Sequence, residues 1–120
     1  IGSPTVDKPS VLVVMNQPSL EKFENMLVPG GLLIYNTSLI DIAPKRTDIE
    51  LLPLPVSELA DKLGSMRSAN MIIVGAIIAK TGLLDVDVVK HSLSRVIKHK
   101  EAIELNNAAI DKGIEYVRSL

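Results

Sequence analysis

Three sets of polar residues stand where apolar runs begin or stop, and from these positions the chain could meet a ligand. Asn16 and Gln17 follow Val11 to Met15, and Asn36, Thr37 and Ser38 follow Leu32 to Tyr35. Arg67, Ser68 and Asn70 precede the apolar stretch Met71 to Ala79. Amides, hydroxyls and one guanidinium suit hydrogen bonding to a ligand or a partner rather than bond making. Ser38 could act as a nucleophile only if a base reached it, and nothing in the sequence places His91 or His99 nearby. The two histidines lie eight residues apart without a surrounding carboxylate set, which matches no compact zinc pattern and reads as solvated helix positions. Asp85 and Asp87 read as a helix start, and Glu101 and Glu104 as a solvated first turn. No catalytic residue and no metal ligand is assigned.

The elements that must hold these groups follow from hydrophobic patterning. Val11 to Met15 and Leu32 to Tyr35 are branched apolar runs without polar alternation, as expected of parallel strands covered on both faces. Between them lies a helix pattern with Pro18 in its opening turn, Glu21 placed early for the macrodipole, and Leu20, Phe23 and Leu27 on its apolar face. Gly30 and Gly31 turn the chain back. The result is a βαβ unit of an open α/β fold, and such folds bind ligands at the carboxyl ends of their strands. Asn16, Gln17, Asn36 and Ser38 fall at that edge, and Arg67 and Asn70 are candidates to line it from a buried helix start. Capping of that helix is the competing reading of Arg67 to Asn70.

Farther along, Ile1 to Pro9 reads as a leading loop and Ser38 to Asp48 as an exposed one. Ile49 to Leu54 reads as a third strand, pushed to an edge or cut short by Pro53. A short helix runs from Pro55 to Gly64. Asn70 to Lys80 is apolar around most of its circumference, as in a helix buried in a domain or clamped at an interface. The next helix is capped by Asp85 and buries Val86, Val89, Leu93, Val96 and Ile97 while Lys90, His91, Arg95 and Lys98 face outward. In the last, about Lys100 to Leu120, Gly113 is a weak point worth about 1 kcal/mol relative to alanine.

At 120 residues the length fits a single domain, 1–120, able to bury a core, and with Phe23, Tyr35 and Tyr116 the only aromatics that core is aliphatic. Stacking on bases is therefore not expected, and a formal charge of -1 gives no field for a phosphate backbone, so nucleic acid is not an expected partner. No Gly-x-Gly-x-x-Gly follows a strand. With no cysteine, iron–sulfur clusters must belong to other chains. The longest apolar run, Met71 to Ala79, falls short of the roughly 20 residues of a membrane helix, so no membrane association and a cytoplasmic location are expected.

The chain resembles the gamma subunit, or gamma domain, of 2-oxoacid:ferredoxin oxidoreductases of the pyruvate, 2-ketoisovalerate and 2-oxoglutarate type. The matching stretches are Met15 to Phe23, Val28 to Ser38, and Ala69-Asn70-Met71 running into Gly75-Ala76 and Thr81-Gly82-Leu83. The resemblance implies a Rossmann-like three-layer fold, an open and mostly parallel sheet with flanking helices and further C-terminal helices. It implies a non-autonomous component of an enzyme that oxidatively decarboxylates a 2-oxoacid to an acyl-CoA and passes electrons to ferredoxin. Asn16-Gln17-Pro18-Ser19-Leu20 tilts the resemblance toward 2-oxoglutarate. Its implied partners are alpha, beta and delta-type subunits, with ferredoxin met indirectly, in a homodimer or hetero-oligomer. Thiamine diphosphate, iron–sulfur clusters and coenzyme A belong to the complex, and none is expected on this chain alone. The family module usually opens with a strand and a glycine-rich turn, so Ile1-Gly2-Ser3-Pro4 reads as its later part, with the N-terminal part absent. Surface left uncovered would then place Met71 to Ile78 against a second copy or another subunit. The alternatives are an assembly module without active-site contact and a nucleotide-binding α/β domain, the latter disfavoured by the missing phosphate loop.

Overall fold

A computed structural model describes residues 10–82 and 84–120. The expected leading loop, Ile1 to Pro9, and Leu83 of the third matching stretch lie outside the described residues. The chain divides into two compact units at Pro55 and Val56, one built on a sheet and one helical.

In the first unit, β1 (Val11–Val14), β2 (Leu32–Asn36) and β3 (Glu50–Leu54) form a parallel sheet in the order β1-β2-β3. Val14 pairs with Tyr35, and Asn36 with Leu54. Side chains alternate between faces. One face sends Leu12, Val14, Leu33 and Tyr35 into a cluster with Leu20, Leu27, Ile40 and Ile49. The other carries Leu32, Ile34, Leu52 and Leu54, all buried. Double-sided cover is thus realised in β2, whereas Val11, Leu12 and Val13 of β1 are only half-buried. The reason is position: among the described strands β1 pairs on one side only. Pro53 sits in β3, which among the described strands lies at an edge of the sheet, as expected.

The helix α1 (Gln17–Phe23) has Pro18 in its first turn and continues as a 3-10 turn, Glu24–Met26. Glu21 lies past the first turn, so the expected macrodipole role fails. Asn16 serves that end instead, its Oδ1 accepting the Ser19 N–H at 2.9 Å. Gly30 adopts φ +82, which only glycine holds without strain, and so makes the turn. Gly31 has no positive φ. It is packed so tightly that a Cβ would lie 2.8 Å from Leu27 Cδ1.

The second unit holds α2 (Val56–Lys62), α3 (Ala69–Thr81), α4 (Val86–Val96) and α5 (Lys100–Arg118). Ile72, Ile73, Gly75, Ala76 and Ile78 of α3 are buried within the chain itself. Surface at Met71 to Ile78 is therefore not what a second copy would cover, and that expectation is corrected. The cause is the crossing of α3 and α5. A Cβ on Gly75 would lie 2.8 Å from the Ile110 carbonyl carbon and collide with its oxygen, and one on Gly113 would collide with the Ile72 carbonyl oxygen. Gly113 is thus no weak point but one half of a close backbone approach.

Asp85 caps α4 as expected, its Oδ1 accepting the N–H groups of Asp87 (2.8 Å) and Val88 (3.2 Å). Val86, Val89 and Leu93 pack on Ile78, Ile110 and Ile114. Val96 does not join them and is 72% exposed, because the helix ends there and Ile97 is already extended at ψ 124. Nor does Lys90 point freely outward: its Nζ meets Asp111 Oδ1 at 2.6 Å. His91, His99, Glu101 and Glu104 are exposed.

Candidate functional site

The edge where β1 and β2 end is tied together by one buried amide. Asn36, fully buried, donates from Nδ2 to the Met15 carbonyl (3.3 Å) and accepts the Ser38 N–H on Oδ1 (3.1 Å), while its own carbonyl takes the N–H groups of Leu39 and Ile40. The strand ends and the turn after β2 are thereby fixed to each other. Asn16, Gln17, Asn36 and Ser38, singled out from the sequence, do gather here.

Parallel strands need a crossover, and between β2 and β3 it is the loop 37–49 without a helix. Its backbone groups must find partners elsewhere. Gln17 supplies a pair, its Oε1 accepting the Ile42 N–H (3.1 Å) and its Nε2 donating to the Ile42 carbonyl (3.3 Å). Glu24 supplies another, its Oε2 accepting the N–H groups of Lys45 (2.6 Å) and Arg46 (2.9 Å). Arg46 returns the bond, donating from one guanidinium nitrogen to the carbonyls of Glu24 (3.0 Å) and Leu27 (2.5 Å). Its other edge is held by Asp48 in two parallel bonds of 2.8 and 2.7 Å. The bond to Asp48 raises the Arg46 pKa, and the same bond lowers that of the Asp48 carboxyl.

Between α1 and this loop runs a groove of about 440 Å³ lined by Leu20, Glu21, Asn25, Ile42, Ala43 and Lys45. Among the described residues no three histidine or carboxylate side chains form a metal site.

Glu24 and Arg46 escaped the sequence reading. The signal was present in spacing: Glu24 falls four residues after Leu20 and three before Leu27, on the face that α1 buries, where a carboxylate needs a donor.

Arg67 and Asn70 belong to the helical unit and both are exposed, whereas Ser68 between them is buried, so the helix start is buried as expected but these two side chains are not part of its buried surface. The backbone explains it. A 3-10 turn, Met66–Ser68, runs straight into α3, and Ser68 makes no side-chain cap although its hydroxyl donates to the Ser65 carbonyl at 2.6 Å. Ser65 caps the turn, accepting the Arg67 N–H at 3.2 Å.

A family model described as pyruvate ferredoxin/flavodoxin oxidoreductase matches residues 1–116. The chain belongs to this family. The ketoisovalerate oxidoreductase subunit VorA of Methanothermobacter thermautotrophicus is 32% identical, over 98% of this chain and 25% of the relative. The 2-oxoglutarate synthase subunit KorC of Methanocaldococcus jannaschii is 27% identical, over 100% of this chain and 65% of the relative. The gamma subunit of a keto/oxoacid ferredoxin oxidoreductase from Geobacter sulfurreducens superposes with a TM-score of 0.82 at 20% identity, over 92% of this chain and 65% of that one. This chain therefore spans from a quarter to about two thirds of these three proteins. The resemblance to oxidoreductase gamma subunits holds, and so does the α/β fold with its open parallel sheet. VorA and KorC are each named as a subunit of their enzyme. Among the described residues no helix is long and apolar enough to cross a membrane.

Proposed function

We propose that this chain is the gamma module of a 2-oxoacid:ferredoxin oxidoreductase that converts a 2-oxoacid, coenzyme A and oxidised ferredoxin into acyl-CoA, carbon dioxide and reduced ferredoxin, in the cytoplasm. One observation carries the reading: the family match extends over residues 1–116 of a chain in which, among the described residues, the polar edge is engaged in internal hydrogen bonds and pairs no acid, base or nucleophile reactively. Alpha, beta and delta-type subunits then bring the reactive groups.

The residues present do not fit an iron–sulfur cluster or, at the start of α1, a diphosphate. There is no cysteine to hold a cluster, and the Ser19 amide that a diphosphate would seek at the start of α1 is bonded to Asn16. The role left to Asn16, Gln17, Asn36, Ser38, Arg67 and Asn70 is to shape an edge toward the subunits that hold substrate and thiamine diphosphate.

2-Oxoglutarate is the proposed substrate, supported by the stretch Asn16 to Leu20 and by the full coverage of this chain in its match to KorC. 2-Ketoisovalerate is the second reading, favoured by the higher identity to VorA. The test is coenzyme A-dependent reduction of ferredoxin by the complete complex with each 2-oxoacid. The highest kcat/KM is expected with 2-oxoglutarate. A higher value with 2-ketoisovalerate selects the second reading, and no reduction with any 2-oxoacid removes both.

A further inference from the structure

The groove between α1 and the loop 37–49 is walled on the helix side by Gln17, Leu20, Glu21, Glu24 and Asn25, whose spacing is that of one continuous helix face. Two of these side chains hold the opposite wall. Gln17 fixes the backbone of Ile42 with two bonds, and Glu24 fixes the backbone of Lys45 and Arg46. Ile42 and Lys45 are thus held in place before anything enters the groove, which lowers the ordering cost of binding there. Three other polar side chains have no such task. Glu21 and Asn25 on the helix and Lys45 on the loop are exposed and make no side-chain hydrogen bond or ion pair among the described residues. Beside them lie Leu20, Ala43 and Ile42, the last 59% exposed although its backbone is pinned.

The groove therefore offers one carboxylate, one ammonium, one amide and an aliphatic patch. Its volume of about 440 Å³ falls within the range of small-molecule sites, about 300–1,000 Å³. Each feature restricts the occupant. A phosphate or a dicarboxylate would satisfy Lys45 but face Glu21, and a polyamine would satisfy Glu21 but face Lys45. No aromatic side chain lines the groove, so a base or a sugar has no ring to stack on. An occupant that satisfies both charges carries an ammonium and a carboxylate beside a hydrocarbon body. We propose that the groove binds a free α-amino acid with a branched aliphatic side chain, its ammonium on Glu21, its carboxylate on Lys45 and Asn25, and its side chain against Leu20, Ile42 and Ala43. Charge-assisted bonds at two ends fix the orientation of the ligand, and the hydrocarbon contact takes Ile42 out of water. The site is independent of the reaction that the complex performs, because it uses no group of that reaction.

Isothermal titration calorimetry of the full-length protein with L-leucine, L-isoleucine and L-valine tests it. Saturable binding of at least one, with a Kd below about 1 mM, is expected. For leucine, two analogues separate the charges: isocaproate lacks the amine and isoamylamine lacks the carboxylate. Each analogue is expected to bind at least tenfold more weakly than its parent amino acid, and so is the amino acid to Glu21→Gln and to Lys45→Met, since each change removes one charge-assisted bond. Both residues are exposed and unengaged, so both variants are expected to keep the circular dichroism of the parent protein. No saturable binding of any of the three amino acids overturns the inference, and so does a loss smaller than tenfold in any analogue or variant. If a variant loses its helical signal, Ile42→Ser decides in its place, because it leaves every charge intact: amino-acid binding undiminished by it also overturns the inference.

Discussion

Glu24 is the residue on which the crossover between β2 and β3 depends. Its side chain is in the core, and one of its oxygens serves two backbone donors of a loop that has no helix to satisfy them. Replacing it with leucine keeps the volume but leaves the Lys45 and Arg46 amides without an acceptor, a loss of about 2–3 kcal/mol in denaturant unfolding. Glu24→Gln retains a carbonyl oxygen at that place and should recover more than half of the loss. Asp48 adds a pH dependence. Its carboxyl is held below the ordinary value of 3.8, chiefly by the bond to Arg46, so it binds a proton less readily folded than unfolded. Its contribution is therefore complete above that value and fades as pH falls below it. The stability gap between the parent protein and Asp48→Asn should accordingly be constant near neutrality and close in acid. These roles were only partly legible. Asn16 and Asn36 could be placed at strand ends from pattern, but the bonds of Glu24 join residues about 20 apart, and no local signal specifies such a partner.

Helices and strands were far more legible than their contacts. Pro18, Asp85 and Gly82 mark element boundaries because each acts through local backbone geometry. Tertiary approach is what spacing could not show, and Gly113 is the clearest case. By propensity alone, Gly113→Ala would stabilise α5 by about 1 kcal/mol. In the fold it would drive a methyl group into the Ile72 carbonyl, so the expected result has the opposite sign, a net loss of about 2–3 kcal/mol from forced separation of the helices. Gly75→Ala should behave alike, since its Cβ would meet the Ile110 carbonyl. The two together should cost less than the sum, because a single separation relieves both collisions. A double-mutant cycle by thermal unfolding measures this. The same crossing explains why assigning the apolar α3 to an interface from sequence failed: its buried residues are covered inside the chain.

On the proposed reading, the matter for the whole molecule is how a chain whose described residues hold no reactive pairing takes part in catalysis. Arg67 and Asn70 allow it to be decided. Both are exposed, and neither side chain is engaged among the described residues, so Arg67→Ala with Asn70→Ala should change folding stability by no more than about 0.5 kcal/mol. Any effect on turnover then reports contact with another subunit or with substrate, since the fold itself is unmoved. On the proposed reading, the complex assembled with this variant keeps its mass while kcat/KM for the 2-oxoacid falls about tenfold, the weight of one lost charged hydrogen bond in the transition state. A complex that loses subunits instead would assign the pair to assembly, the role of a scaffold that touches neither substrate nor cofactor. Unchanged mass with unchanged kinetics would leave the work of the edge to Asn16, Gln17 and Ser38 at the strand ends. The discriminating measurement is thus native mass and steady-state kinetics on the same preparation, because either one alone confuses a missing subunit with a missing contact.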